Sequence, residues 1–95
     1  MKKIIIDSVD FCKALSDPIR QRILEMLLEK EMSVNDIVEK FDVSQPTISH
    51  HLNLLFQTDL VKREKHGKQI IYSINHERVV SCCGQLYTKF KTKEE

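Results

Sequence analysis

Glycine and proline are scarce in this sequence, with two residues of each among 95. That scarcity argues against a loop-rich or low-complexity chain and favours a protein made mostly of helices. No repeat or linker divides the chain, so we expect residues 1–95 to form one domain with a modest core. A large excess of one charge is also lacking, because the net charge is only +1. Any binding to nucleic acid must therefore come from a local arrangement of cations.

Long apolar runs are absent too, and this absence bears on where the protein works. The first such run, Ile4–Ile6, stops at Asp7, well short of a secretory signal, and no later stretch would span a membrane. Three cysteines, Cys12, Cys82 and Cys83, are an odd number in a chain without an export signal. A structural disulfide framework is therefore not expected. These features predict a cytoplasmic protein with reduced thiols and no membrane contact.

Capping residues and apolar periodicity predict four helices in the first part of the chain. Their predicted caps are Ser8, then Ser16 or Asp17, then Ser33 with a helix to Phe41, and Ser44 with a helix to about Gln57. The alternating, β-branched segment 60–74 predicts a two-stranded hairpin with His66 and Gly67 at its middle. Asn75 can cap a final helix. The expected fold is mainly α with a small β-hairpin, in the order ααααββα.

The fourth helix carries many hydrogen-bonding side chains and no acidic residue. Its apolar residues Ile48, Leu52 and Leu55 fall on one side, which we expect to be core, with His51 at the margin. The remaining surface is polar and almost uncharged: Ser44, Gln45, Thr47, Ser49, His50 and Asn53. Neutral donors and acceptors can bond to base edges and phosphates, whereas carboxylates would repel the phosphates. The pattern predicts the DNA-reading helix of a helix-turn-helix; the alternative is an ordinary amphipathic helix of a small bundle.

The predicted hairpin is rich in cations. Lys62, Arg63, Lys65 and Lys68 stand against a single acid, Glu64. A protruding hairpin of this charge can reach phosphates or the adjacent minor groove, and each such contact adds salt-dependent affinity. The alternative interpretation is that these lysines protect an edge strand from aggregation. Beside the polar helix, the hairpin is best interpreted as a wing.

Three segments of the chain together resemble a known family. They are "FCKALSDPIRQRILEMLLE", "MSVNDIVEKFDVSQPTISHHLNLL" and "LVKREKHGKQIIYSIN". They are similar to the arsenic-repressor (ArsR) family of small bacterial and archaeal winged-helix regulators, and the resemblance covers nearly the whole chain. It implies a homodimer joined by the first and last helices. Such a dimer binds an imperfect inverted repeat in double-stranded DNA and represses its own operon until an inducer arrives.

The resemblance also assigns roles to residues. It places Ser44, Gln45, Thr47, Ser49 and His50 against DNA, with Gln45 and His50 at base edges, and we include Asn53 on the same face. Arg63, Lys65 and Lys68 would contact the DNA backbone.

The metal sites of related sensors are incomplete here. The cysteine pair that the family's arsenic and cadmium sensors carry in the third helix is missing, since this chain reads "MSVNDIV" there. The zinc and cobalt sensors place ligands early and late on the last helix. This chain has His76 and Glu77 early, but Lys89 and Thr92 at the late positions.

The remaining candidate sensor is the set of three thiols. Three sulfurs would suit As(III) or Sb(III), and three sulfurs with His76 or Glu77 would suit Zn(II) or Cd(II). Adjacent helical residues point about 100° apart, so Cys82 and Cys83 need distortion or a second helix to share one ion. Sensing of oxidants or persulfides through a Cys12–Cys82 type of disulfide is a second possibility.

Simple burial of the cysteines is a third interpretation. Cys83 continues an apolar stripe on the last helix, and Cys12 falls with Val9 on an apolar face of the first. The remaining members of the stripe are Val79, Leu86 and Phe90. In that case the repressor has no metal or redox site and is regulated by a protein partner or by its abundance. Gly84, which costs helix stability, indicates a close helix approach or a bend.

Two other classes of function are weighed against DNA binding. An enzyme is not expected, because the thiols lie inside predicted helices and neither a phosphate loop nor a paired-carboxylate pattern exists. A winged helix used only for protein interaction would bind no DNA and show no salt-dependent complex.

Overall fold

The computed structural model describes residues 8–91. Their order is α1 (Ser8–Leu15), α2 (Pro18–Glu29), β1 (Met32–Ser33), α3 (Val34–Val38), α4 (Gln45–Gln57), β2 (Val61–His66), β3 (Gln69–Ile74) and α5 (His76–Phe90). This is a winged helix-turn-helix, as the sequence predicted, with α3 and α4 as the helix pair and β2–β3 as the wing. Strand β1 was not predicted, because two residues are too short to show an alternating pattern.

Side-chain caps set the starts of four helices. Asp17, Ser33, Ser44 and Asn75 each accept a hydrogen bond from a backbone amide in the first turn of the helix that follows. At Ser33 the bond is reciprocal, because Asp36 also accepts from the Ser33 amide. Helix α3 ends at Val38, short of the predicted Phe41, and a turn follows. Ser8, predicted as a cap, is the first residue of α1.

The three strands form one antiparallel sheet in the order β1-β3-β2. Met32 pairs with Tyr72, and Val61 pairs with Ile74 at the root of the wing. Gly67 and Lys68 form the turn, and Gly67 has φ +64°, which glycine adopts at little cost in a two-residue hairpin turn. The turn lies one residue beyond the predicted centre. Strand β1 ties the root of the wing to the start of α3.

The core joins all of these elements. Its fully buried side chains are Ile23, Ile37, Ile48, Leu52, Leu55, Leu60, Val61 and Cys82. The structure corrects the predicted face of α1, because Phe11 and Ala14 are buried while Val9 and Cys12 are exposed. On α2, Ile23, Leu24 and Leu27 are buried, while Leu28 is exposed at the end of the helix.

The buried face of α5 also differs from the prediction. Cys82, not Cys83, lies in the core between Val79 and Leu86, while Cys83 and Phe90 are exposed. Residues three and four positions apart both lie on the same side of a helix. The sequence alone therefore does not decide which of the two adjacent cysteines is buried. Within residues 8–91, no helix has the length and apolar character needed to cross a membrane.

Candidate nucleic-acid interface

Helix α4 presents its polar side to solvent. Ile48, Leu52 and Leu55 anchor the opposite side in the core, and Pro46 lies in the first turn, where its missing amide hydrogen costs nothing. The predicted DNA-binding residues of this segment are all exposed: Ser44, Gln45, Thr47, Ser49, His50 and Asn53. Ser44 is also the cap, since its Oγ accepts from the Thr47 amide at 3.3 Å and lies 3.0 Å from the Thr47 hydroxyl.

A groove of about 320 Å³ brings α4 and the wing together. Gln45 and Ser49 line one side of it, and Lys68 and Gln69 of the wing line another. Asn35, in the first turn of α3, also faces the groove. The sequence reasoning did not single out Asn35 or Gln69, because one follows a cap and the other a turn, where polar residues are ordinary. The groove thus offers neutral donors and acceptors beside one ammonium group.

The cations of the wing are exposed but not equivalent. The guanidinium carbon of Arg63 lies 3.8 Å from the centre of the Phe56 ring, and its Nη1 is 3.5 Å from the Tyr72 hydroxyl. Arg63 therefore braces the wing against the end of α4. Strand alternation places Lys65 on this same side of β2 and Lys62 on the other. Lys65 therefore shares the Arg63 side of β2, and Lys68 lines the groove beside α4.

Comparison with known proteins agrees with this geometry. The pattern of the bacterial regulatory proteins of the arsR family matches residues 17–63, from the cap of α2 into β2. The transcriptional repressor SdpR of Bacillus subtilis strain 168 is 46% identical over 63 residues, which is 66% of this chain and 70% of that protein. The chain belongs to the arsR family.

Two further likenesses extend over nearly all of this arsR-family chain. The biofilm growth-associated repressor of Xylella fastidiosa strain Temecula1 is 30% identical over 95 residues, covering 100% of this chain and 83% of that protein. A crystal structure of a possible transcriptional regulator for arsenical resistance superimposes with a TM-score of 0.78 and 26% identity, covering 95% of this chain and 90% of that one. The protein is a DNA-binding transcription regulator and not an enzyme.

On the buried side of α4, His51 is only 8% exposed. Arg20 donates from Nη1 to its Nδ1 at 3.0 Å, and Asp17 Oδ1 lies 3.9 Å from its Nε2. Burial lowers the pKa of His51, Arg20 and His50 lower it further, and Asp17 opposes them. His51 is therefore neutral near pH 7. The prediction that it sits at the edge of the core is confirmed.

The three thiols of this arsR-family protein do not form one site within the protomer. Cys82 is buried, and burial raises the pKa of its thiol, with Cys83 and Asp59 adding to the rise and Arg78 opposing it. Cys12 and Cys83 are exposed. Among residues 8–91, no three His, Cys, Asp or Glu side chains are close enough together to hold a metal ion.

The described late position of the zinc-type site, Lys89, does not provide a metal ligand. Lys89 donates from Nζ to Ser8 Oγ at 3.0 Å, which joins α5 to α1, and Thr92 lies outside the described residues. His76 and Glu77 are exposed in the first turn of α5.

Proposed function

We propose that this protein is a homodimeric repressor that binds an inverted-repeat operator in double-stranded DNA in the cytoplasm. Its relatives SdpR and the Xylella protein are named as repressors, which supports the direction of regulation. The observation that carries the proposal is the exposed, acid-free face of α4, which forms one groove with the wing. Residues 1–95 act as one DNA-binding domain.

Helix α4 would lie in the major groove. Gln45 and His50 read base edges, since an amide and an imidazole each offer a donor and an acceptor there. Thr47, Ser49 and Asn53 flank them along the same face. The hydroxyl of Ser44 holds the first turn of α4 and remains near the phosphates.

The wing would supply contacts to the DNA backbone. Lys65 and Lys68 meet phosphates, and each contact releases counterions and makes binding weaker as salt rises. Arg63 joins them from the root of the wing, where its stacking on Phe56 fixes the direction of its guanidinium.

The dimer would form through α1 and α5. Helix α5 has a second apolar face besides the one in the core, with Val80 69%, Tyr87 64% and Phe90 74% exposed. Val9 of α1 is 51% exposed as well. Gly84 lies on the outer face, and an added Cβ there would meet nothing within 4 Å inside the protomer. An apolar surface with a glycine at its middle fits the close approach of a second copy.

The test is binding of the reduced, metal-free protein to its own promoter region. Fluorescence anisotropy with that DNA and with a shuffled duplex, at low and high salt, is expected to show a specific complex that weakens steeply with salt. Half-sites are expected about one DNA turn apart. If neither DNA binds at low salt, the chain is a protein-interaction module and the proposal is wrong.

The proposal also includes release of the repressor from its operator by an inducer. The accessible thiols, Cys12 and Cys83, lie on the two helices proposed to form the dimer, whereas Cys82 is closed off in the core. A thiophilic inducer, As(III), Sb(III), Cd(II) or Zn(II), or a thiol oxidant would therefore act on Cys12 and Cys83. It would change the dimer, because the protomer alone brings no three ligands together in the part of the chain that the structure describes.

Native mass spectrometry with arsenite, cadmium, zinc and a persulfide donor tests this assignment. Cys12→Ser and Cys83→Ser are expected to lose the added mass, and Cys82→Ser to keep it. Full response in a Cys12→Ser, Cys83→Ser double variant would show that regulation does not use these thiols and comes from a partner or from abundance.

A further inference from the structure

One guanidinium group connects three helices behind the DNA-binding face. Arg20, in the first turn of α2, donates from Nε to the Ala14 carbonyl at 2.8 Å and from Nη2 to the Lys13 carbonyl at 3.0 Å. Its third nitrogen, Nη1, donates to His51 Nδ1 at 3.0 Å. Lys13 and Ala14 belong to the last turn of α1, and His51 lies in the middle of α4. None of these residues lines the groove.

The geometry makes Arg20 a rigid connection. The last carbonyls of a helix have no partner within that helix, and Arg20 adds its donors there to those of the Ser16 amide and hydroxyl, which also donate to the Lys13 carbonyl. The guanidinium is planar and its donors have fixed directions, so movement of the α1 carbonyls cannot leave the bond to His51 unchanged. A displacement of α1 is thereby transmitted to α4.

We propose that Arg20 and His51 are positioning residues that couple α1 to the DNA-reading helix, and that protonation of His51 breaks this coupling. The inference rests on the proposed function, since it assigns a control to the same α4 surface. It adds a proton as an effector of operator binding and a route by which events at α1 reach DNA.

The chemistry of the bond explains the effect of the proton. As a neutral group, His51 accepts from Arg20 at Nδ1, and its other nitrogen carries the hydrogen and faces Asp17 at 3.9 Å. A proton on Nδ1 converts this acceptor into a donor and places a second positive charge beside the guanidinium. The imidazole must then turn away from Arg20, and Asp17 draws it toward the start of α2.

The charged and titratable groups acting on His51 are few. Asp17 and Arg20 act from α2, and His50 acts from α4, with its ring centre 5.8 Å from that of His51. Burial and the two positive or titratable neighbours oppose protonation, and Asp17 favours it. The coupling is therefore intact near neutral pH and is lost as the pH falls through the lowered pKa of His51.

The test measures binding to a fluorescein-labelled duplex of the protein's own promoter region between pH 8 and pH 5 at fixed ionic strength. A shuffled duplex is titrated in parallel, and the ratio of the two affinities gives the sequence-specific part of binding. Wild-type specific affinity is expected to fall by up to about tenfold as the pH is lowered from 7.5 to 5, the equivalent of about one hydrogen bond. His51→Gln, whose side-chain oxygen accepts but does not titrate, is expected to remove this fall. His76→Gln, a matched loss of an exposed histidine, is expected to keep it.

Two more variants separate coupling from loss of packing. At pH 7.5, His51→Gln is expected to bind about tenfold more tightly than His51→Ala, because it restores an acceptor for Arg20. Arg20→Lys keeps the charge without the fork and is expected to weaken specific binding as His51→Ala does. The same fall with pH in His51→Gln as in the wild type overturns the coupling, while operator binding at pH 7.5 leaves the repressor proposal standing. Loss of specific binding at every pH in the wild type overturns both.

Discussion

Single residues on α4 divide into those that serve the fold and those left available for a partner. Ser44 and Thr47 bond to each other, and His51 is held by Arg20. Within residues 8–91, the side chains of Gln45, Ser49 and Asn53 make no hydrogen bond to protein. On this exposed, acid-free face, these side chains can bond to water or to a partner. Under the proposed function, these residues are the readers of base sequence.

Substitution of the readers is expected to reduce discrimination more than affinity. Gln45→Ala or His50→Ala removes a donor–acceptor pair from a base edge and should cost about 1–3 kcal/mol of preference for the operator over a shuffled duplex. Lys68→Ala should weaken both duplexes equally and lower the salt slope by about one. Anisotropy titrations on both duplexes distinguish the two effects. An equal loss on both duplexes for Gln45→Ala would place that residue on the backbone.

Titration of His51 also predicts how stability depends on pH. The folded protein holds its pKa below the ordinary value of about 6.5, so the unfolded chain binds the proton more readily. This contribution to stability is complete above about pH 6.5 and is lost as the pH falls through the lowered pKa. The melting temperature followed by circular dichroism should fall between pH 7 and pH 5, and less so in His51→Gln. A melting temperature that is flat over this range in the wild type would contradict the assigned protonation state.

The contribution of Asp17 to stability is also lost as the pH falls, but over a lower pH range. Burial alone would raise the pKa of its carboxyl, but the Ile19 and Arg20 amides and the nearby His51 and Arg20 hold it below the ordinary value. Its contribution is present above about pH 4 and is lost below that.

At the scale of helices and strands, short capping signals determine where elements begin. Ser33 is the clearest case, because this one buried residue both pairs in β1 and caps α3. Its hydroxyl accepts from the Asp36 amide at 3.1 Å. Ser33 also lines the groove, and the start of α3 leads through a turn into α4, so this cap helps to hold the polar face of α4 in place.

Loss of that cap is expected to destabilise the whole protein. Ser33→Ala should lower the free energy of unfolding by about 1–2 kcal/mol, because the Asp36 amide loses its acceptor in a buried place. Ser81→Ala, an exposed serine of α5, serves as the control and should change it by less than about 0.5 kcal/mol. Urea denaturation of both variants measures the difference. Equal effects of the two substitutions would show that the cap is unimportant.

Local patterns in the sequence predicted much of this layout, and the failures have identifiable causes. Caps, the polar face of α4 and the wing depend on residues a few positions apart, so periodicity and turn chemistry reveal them. The choice between Cys82 and Cys83 depends on how α5 rolls against α1 and α2, which its own sequence does not contain. Arg20 and His51 are 31 residues apart, and only the folded chain brings them together.

At the scale of the whole molecule, two surfaces formed by residues 8–91 are exposed and bear on the proposed function. One is the groove of α4 and the wing, and the other is the outer apolar face of α5 with its neighbour α1. A single protomer offers one recognition helix, whereas an inverted repeat requires two held at a fixed spacing. Under the proposed function, the second surface fixes that spacing, so both surfaces serve one function.

This relation predicts that operator binding fails when the α5 face is disrupted. Tyr87→Glu places a charge at the proposed contact between protomers and should convert the dimer to a monomer in analytical ultracentrifugation. Gln85→Glu, also exposed on α5, adds the same charge as a control and should leave the dimer intact. In the Tyr87→Glu protein, each protomer binds its half-site alone. Its affinity for the full operator should fall by about a hundredfold or more, because the second contact is no longer intramolecular. A Tyr87→Glu protein that stays dimeric would place the subunit contact on another surface, and the spacing of the half-sites would then need a different origin.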